Sequence, residues 1–109
     1  MAYDENLADR IRNSLHEKKV PFHEKKMMGG LTFMVHDKMC VGIVKNDLMA
    51  RIGKDNYESA IKKQGSRQMD FTGKPMKGYV FLEPEAIDMD VELEYWIDLS
   101  LEFNETLKN

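Results

Sequence analysis

Hydrophobic positions near the start of the chain recur at the three- and four-residue spacing of an amphipathic helix. The inward side of this segment carries Leu7, Ala8, Ile11, Ser14 and Leu15. Asp4 precedes the segment and is of a residue type preferred at a helix N-cap. Pro21 limits it, because the residue before a proline is driven out of the helical region. The pattern therefore predicts a first helix between Asp4 and Pro21.

The pattern then changes to short runs of strand-forming residues. Residues 31–35, 39–44 and 48–52 are apolar runs, and polar residues at 36–38 and 45–47 separate them. These runs predict a three-stranded meander. Gly29 and Gly30 precede its first strand, where glycine usually marks a bulge or a sharp bend.

Alternate positions divide the meander into two faces. The face able to form half of a core carries Leu31, Phe33, Val35, Val41, Ile43, Leu48, Ala50 and Ile52. The other face carries Thr32, Met34, Cys40, Val44, Met49 and Arg51. This second set is too apolar to be wholly solvated, so we expect part of it to be covered.

The pattern after Gly53 predicts a short helix and two more strands. Residues 55–63 place Tyr57, Ala60 and Ile61 on one side, and Gly65 is suited to ending this helix. The two strand candidates are residues 67–71 and 77–82.

The last segment fits two periods at once. Apolar residues alternate from 91 to 103, as in a strand, yet a helical stripe also runs through Leu93, Trp96, Ile97, Ser100, Phe103 and Leu107. A strand of this length would exceed the usual range of about 3 to 10 residues. We therefore predict a helix, with Asp88 or Asp90 as its N-cap. Val91, Leu99 and Leu101 lie outside the stripe and form a candidate interface with a partner or in a homodimer.

The order of these elements predicts an α+β fold with two layers. It runs helix, three strands, helix, two strands, helix, with a mainly antiparallel five-stranded sheet. We expect one domain over residues 1–109, since domains usually contain about 100 to 200 residues and no linker divides the chain.

The charged residues are distributed unevenly along the chain. Residues 1–82 carry fifteen Lys and Arg against ten Asp and Glu, whereas residues 83–109 carry nine acids against Lys108, and the formal net charge is −3. This division is typical of a basic nucleic-acid surface beside an acidic tail. The interpretation we favour is an acidic helix that neutralises the basic surface of its own domain or of a neighbouring copy.

Composition also restricts the compartment. The single cysteine, Cys40, allows no internal disulfide and favours a reducing environment. The first residues are acidic, unlike a signal segment, and no apolar run approaches the roughly 18 residues of a membrane span. We expect a cytoplasmic protein that does not contact a membrane.

Three segments together resemble a known family. They are KMMGGLTFM at 26–34, LMARIG at 48–53 and MDFTGKPMKGYV at 69–80, and Trp96 with Ile97 fits the same pattern. They closely resemble the N-terminal domain of the TfoX/Sxy family of bacterial competence regulators. The resemblance covers nearly the whole chain and implies an α+β domain with a regulatory role. Larger members of the family, which act as positive regulators of DNA-uptake genes, carry an additional C-terminal domain.

Candidate catalytic and metal-binding residues are few. His36 and Cys40 are four positions apart across a predicted turn and could form a base and a nucleophile. We favour a buried strand cysteine beside a turn histidine, because free cysteine is among the most buried residue types. Two ligands at this spacing do not complete a tetrahedral zinc site. We predict no catalytic residue, no metal and no cofactor.

The segment 72–78 is the most distinctive loop. Thr72, Gly73, Lys74, Lys77 and Gly78 could direct backbone amides and ammonium groups at an anion. It is not a Walker loop, because the order of its glycines and lysines is wrong. The interpretation we favour is a structural connection between two strands that Pro75 stiffens.

Three functional hypotheses follow. We favour a non-enzymatic regulatory domain that binds a protein partner or itself. The alternative is a nucleic-acid-associated domain with a basic sheet face, whose candidate contacts are Lys25, Lys26, Arg51, Lys74 and Lys77. The second alternative is a small-anion or ligand site at the 72–78 loop.

Overall fold

The computed structural model describes residues 3–27, 30–70 and 75–107. Its helices are α1 (Glu5–Glu17), α2 (Lys54–Ala60) and α3 (Asp90–Leu107), with a short 3-10 turn at Pro84–Ile87. Its strands are β1 (His23–Met27), β2 (Gly30–Val35), β3 (Lys38–Val44), β4 (Asp47–Arg51), β5 (Ser66–Asp70) and β6 (Pro75–Leu82). The strands form one antiparallel sheet in the order β1-β2-β3-β4-β6-β5.

The first helix begins where the sequence predicts it. The side chain of Asp4 accepts hydrogen bonds from the backbone N–H groups of Asn6 and Leu7, at 2.9 and 3.3 Å. The five residues predicted to face inward are all buried. The chain leaves α1 at Lys18, and Lys19 takes a positive φ of 59° before Pro21. The N-cap and the helical period therefore determine this element.

Over the described residues the sheet has six strands, so the prediction of five is wrong. The missed strand is β1, whose sequence HEKKM has no alternating apolar side. Backbone pairing with β2 forms this edge strand, and Lys25 lies opposite Thr32. Arg12 of α1 also holds Glu24 through two hydrogen bonds of 2.6 and 2.8 Å. These bonds lower the pKa of Glu24, although burial opposes the shift.

The α+β prediction and the three-stranded meander are confirmed. One sheet face joins side chains from all three helices in the main core, which includes Ile11, Phe33, Tyr57, Val80 and Trp96. Cys40 also belongs to this core and not to the opposite face, where alternation predicts it. The reason is a bulge: Phe33 pairs with Val41 and Met34 with Met39, so Cys40 lies between two pairs and the alternation breaks.

The final segment is a helix, as its length predicts. Its inward side buries Leu93, Trp96, Ile97, Ser100 and Asn104. Its first residue is Asp90, and the N–H of Met89 donates to the carboxylate of Glu92 at 3.3 Å.

The apolar residues predicted to remain outside the helical stripe do not stay together. Leu99 and Leu101 are partly buried and pack against the main core, so the prediction that they are left over is wrong. Val91 is 70% exposed, and Met89 and Tyr95 are the other large exposed hydrophobics among the described residues. These three exposed side chains lie at the N-terminal end of α3, and the interface through Val91, Leu99 and Leu101 stays a prediction.

The acidic helix faces basic groups of its own domain. Arg10 lies 3.2 Å from Asp90, and Lys18 contacts both Glu94 and Asp98. Burial lowers the pKa of Lys18, but its hydrogen bond and Coulomb attraction to Glu94, reinforced by Asp98, outweigh that effect and raise the pKa. These contacts support the favoured interpretation of the uneven charge distribution. In the described part of the chain, no helix combines the length and apolar character that crossing a bilayer requires.

Candidate functional site

The sheet face opposite the main core is the candidate site, and we call it the outer sheet face. It is formed by Thr32, Met34, Met39, Val44, Met49, Arg51, Tyr79 and Phe81. Strand register places Met49 opposite both Gly42 and Phe81. Met49 and Phe81 form a small second cluster with Met39, Val44 and Tyr79 around them, and no helical side chain of the described residues belongs to it. The three helices therefore cover one side of the sheet and leave this side without a helical layer.

The centre of the outer sheet face is closed by its own side chains. A Cβ atom at Gly42 would lie 2.8 Å from the Cε atom of Met49, so the methionine side chain occupies the space that the glycine leaves. Met49 is buried and Phe81 is 7% exposed, whereas Met39, Val44 and Tyr79 are half-buried. The centre is therefore buried by side chains of the face itself. No further element of the described residues covers it in the way the sequence predicts, and the partly exposed apolar groups surround this centre.

Two arginines lie over aromatic rings at this face. The guanidinium of Arg67 is 4.9 Å from the ring centre of Phe81, and the same guanidinium contacts Asp47. The guanidinium of Arg51 is 5.4 Å from the ring centre of Tyr79 and 5.6 Å from that of Phe103. A cation over an aromatic face is attracted by the quadrupole of the ring. The face thus combines apolar groups with positive charge at its margin.

The predicted basic contacts are only partly gathered. Lys25 lies opposite Thr32, and Arg51 opposite Tyr79, so both belong to the outer sheet face. Lys26 lies opposite Leu31 and therefore points to the other side, which corrects the expectation of one shared face. Lys74 lies outside the described residues, and Lys77 is described as a backbone position of β6.

The predicted anion loop is described at one end. Thr72 and Gly73 lie outside the described residues. Gly78 has a φ of 97°, and its carbonyl accepts hydrogen bonds from the N–H groups of Ile52 and Gly53 at 2.8 and 3.1 Å. This residue therefore ties β6 to the end of β4, which fits a structural connection.

His36 and Cys40 have different environments. The Nδ1 atom of His36 is 2.8 Å from the Oδ1 atom of Asn104, whose amide nitrogen donates to the carbonyl of Val35 at 2.9 Å. Oδ1 is thus left to accept a hydrogen bond from His36. Cys40 is 1% exposed. Burial raises the pKa of its thiol to about 12, and nearby Arg51 only partly opposes this shift. A thiol with this pKa is a poor nucleophile at neutral pH, because the thiolate is the reactive form.

We expect Cys40 to resist alkylation in the folded protein. At pH 8, iodoacetamide should modify Cys40 at least about a hundredfold more slowly than in the urea-unfolded chain. Burial keeps the reagent from the sulfur atom, and the raised pKa lowers the fraction of thiolate. Mass spectrometry over a time course measures both rates. Comparable rates in the two states would contradict the buried position and reopen the nucleophile hypothesis.

Metal-binding groups do not cluster in the described ranges. No group of three or more His, Cys, Asp or Glu side chains there is placed to hold an ion. The absence of a bound metal stays a prediction, which elemental analysis of the purified protein would check.

Several residues of the site escape the sequence analysis. The sequence predicts Tyr79 and Phe81 in a strand, but their contact with Arg51 and Arg67 depends on strand order, because β6 lies between β4 and β5. The helical spacing predicts Phe103 in the core stripe of α3, yet it is half-buried and its ring lies near Arg51. The sequence shows which residues are basic or aromatic. It does not show that these residues lie next to one another in the fold.

Comparison with known families agrees with this architecture. A family model described as the TfoX N-terminal domain matches residues 15–104. The chain belongs to this family. No curated protein and no solved structure matches the chain significantly. The match to the TfoX N-terminal domain includes all six strands and most of α3, so the outer sheet face lies entirely within the matched region.

Proposed function

We propose that this TfoX N-terminal domain is a non-enzymatic regulatory domain that binds a protein partner through its outer sheet face. The observation that carries the proposal is that Met39, Val44 and Tyr79 keep partly exposed apolar surface on a sheet face to which no helix of the described residues adds a side chain. A two-layer fold buries one sheet face, and partly exposed apolar groups on the second face are typical of an interaction site.

The composition of the face suits a protein surface. Methionine, tyrosine and arginine are enriched at protein interfaces, and methionine adapts its shape to different partners. Met39 and Tyr79 are half-buried, so each retains apolar area that a partner can cover. Arg51 and Arg67 at the margin would set the orientation of the partner through charge.

A nucleic-acid partner is less well supported. Single-stranded nucleic acid binds to aromatic faces that are free for base stacking. Phe81 is 7% exposed and lies beneath Arg67, and Tyr79 is stacked by Arg51. Arg67 is also neutralised in part by Asp47. These contacts cover the two aromatic faces that base stacking would need.

Membership of the family suggests the process. Because the TfoX/Sxy family is associated with competence regulators, we infer that the partner belongs to the control of DNA uptake. A regulatory role of this kind requires binding and no chemical step, which agrees with the high pKa of Cys40.

The test is a charge placed on the outer sheet face. The variant Met39→Glu puts a carboxylate at a half-buried position, and Val91→Glu makes the same change at the exposed end of α3. The full chain and both variants would be cross-linked in lysate of the source organism, and captured proteins would be compared by mass spectrometry. Circular dichroism and thermal unfolding verify that each variant folds.

We expect a specific protein to be captured by the wild type and Val91→Glu and lost with Met39→Glu. Loss with Val91→Glu alone would assign binding to the exposed end of α3 and contradict the proposal. A dimer in light scattering that Met39→Glu dissociates would make the partner a second copy. Salt-dependent binding to DNA, lost on Arg51→Gln, would support the nucleic-acid alternative instead.

A further inference from the structure

A cleft at the end of β4 lies beside the outer sheet face and is distinct from its apolar centre. A cavity of about 230 Å³ is lined by Arg51, Gly53, Lys54, Gly78, Tyr79 and Phe103. A larger cavity of about 480 Å³ shares Gly53, Lys54 and Phe103 and extends along Ile52, Asp55, Asn56, Glu102 and Thr106. The larger volume is within the range of about 300 to 1,000 Å³ that small-molecule sites occupy.

Arg51 has the geometry of an unsatisfied anion contact. Its guanidinium carbon lies over the ring of Tyr79 and over that of Phe103, at 5.4 and 5.6 Å from their centres. Within the described part of the chain, no hydrogen bond or ion pair engages it. A guanidinium carries five N–H donors in one plane, and ring contacts through its faces leave those donors free at its edge. The two ring contacts therefore hold Arg51 at the cleft while its donors remain available.

The backbone gives the cleft a fixed shape. Gly53 has a φ of 87°, and a Cβ atom there would overlap the ring of Phe103, so this ring rests directly on the glycine. Gly78 accepts hydrogen bonds from the N–H groups of Ile52 and Gly53, which joins β6 to the same wall. A site already formed before binding loses little conformational entropy when a ligand enters.

We propose that this cleft binds a small phosphate monoester. Arg51 would hold the phosphate through paired N–H donors, and Lys54 would supply the second positive charge. Two cations match the charge of a phosphate monoester, which approaches −2 at neutral pH. A carboxylate carries only one negative charge, so it would neutralise only one of the two positive charges of Arg51 and Lys54.

The larger cavity defines the rest of the ligand. Asp55 and Glu102 are its charged groups besides Lys54, and Asn56 and Thr106 add neutral polar groups. Carboxylates accept hydrogen bonds from hydroxyl groups, as sugar binding requires. The ligand is therefore a phosphorylated polyol or sugar, with its phosphate at Arg51 and its hydroxyl groups toward Asp55 and Glu102. This assignment does not depend on a protein partner at the outer sheet face.

The experiment is a titration of the full chain followed by amide NMR and calorimetry. The probes are inorganic phosphate, glycerol 3-phosphate and ribose 5-phosphate, with glycerol and ribose as uncharged controls and glycerate as the carboxylate control. We expect resonance shifts at Gly53, Lys54 and Gly78 with the phosphate esters. Binding should be stronger for ribose 5-phosphate than for inorganic phosphate, because the ester also engages the larger cavity.

Two variants separate the site from general electrostatics. Arg51→Gln should weaken binding at least about tenfold, since it removes the paired donors. The matched control is Arg67→Gln, which removes an arginine that also lies over an aromatic ring but outside the cleft. Thermal unfolding verifies both folds.

Three results would overturn the proposal. The first is no shift with any phosphate compound at about 10 mM, a concentration at which even weak binding with a millimolar Kd is visible. The second is an equal loss of binding with Arg67→Gln, and the third is tighter binding of glycerate than of the phosphate esters.

Discussion

Replacing Gly30 with alanine should lower the free energy of unfolding by about 3 kcal/mol, the upper part of the usual range for overpacking. A Cβ atom at this position would overlap the carbonyl oxygen of Ile43 in the neighbouring strand. The obstacle is backbone and not the end of a side chain, so relief requires β2 and β3 to separate or change register. Urea unfolding followed by circular dichroism measures the loss.

Gly42→Ala is the matched control in the adjacent strand. The nearest atom to a Cβ there is the terminal methyl of Met49, at 2.8 Å, although the carbonyl oxygen of Leu31 follows at 3.0 Å. A flexible side chain moves more readily than a strand backbone, so we expect a loss of only about 1 kcal/mol. An equal or larger loss for Gly42→Ala than for Gly30→Ala would contradict the close approach of β2 to β3.

Replacing Asn104 with alanine should destabilise the fold by about 1–3 kcal/mol, the usual consequence of leaving buried polar groups without partners. Asn104 is 2% exposed and connects α3 to the β2–β3 hairpin through Val35 and His36. Both turn residues, His36 and Asp37, have positive φ values of 55° and 60°. Such values are typical of a two-residue hairpin turn, and neither residue is the glycine that favours them. The contact from α3 therefore supports a turn that its own sequence stabilises weakly.

A double-mutant cycle isolates this contact. His36→Ala removes an exposed partner and should cost less than Asn104→Ala, while the double variant should lose less than the two single variants together. Asn104→Asp keeps the shape but replaces the donor to Val35 with an acceptor, so at neutral pH it should destabilise at least as much as alanine. Additive losses for His36→Ala and Asn104→Ala would show that the two side chains are not coupled.

Periodicity predicts those elements whose identity depends on burial. The helical spacing of Leu7, Ile11 and Leu15 and the alternation of Leu31, Phe33 and Val35 predict buried sides, and all six are buried. In these cases local pattern and tertiary packing require the same arrangement, so a single sequence is sufficient evidence.

The sequence pattern does not predict features that depend on strand pairing or on contacts between distant residues. Strand β1 exists through its hydrogen bonds to β2, and its sequence carries no apolar alternation. Cys40 lies on the core side of the sheet and not on the side that alternation predicts, because a bulge shifts the register. Residue spacing does not predict this bulge. Asn104 is buried with its amide hydrogen-bonded to the ring of His36 and to the carbonyl of Val35, which lie 68 and 69 positions earlier in the chain. The same limit applies to the cleft, whose lining comes from β4, α2, β6 and α3 together.

The polar sequence of β1 has a consequence for solubility. An edge strand presents unpaired backbone groups that can recruit a strand from another molecule and begin aggregation. His23, Glu24, Lys25 and Lys26 occupy this edge and are exposed. In-register parallel pairing with a second copy would place Lys25 beside Lys25 and Lys26 beside Lys26, while Arg12 keeps Glu24 against α1. The polar composition of β1 thus has two effects. It removes the apolar alternation by which a strand is predicted, and it disfavours pairing of this edge with strands of other molecules.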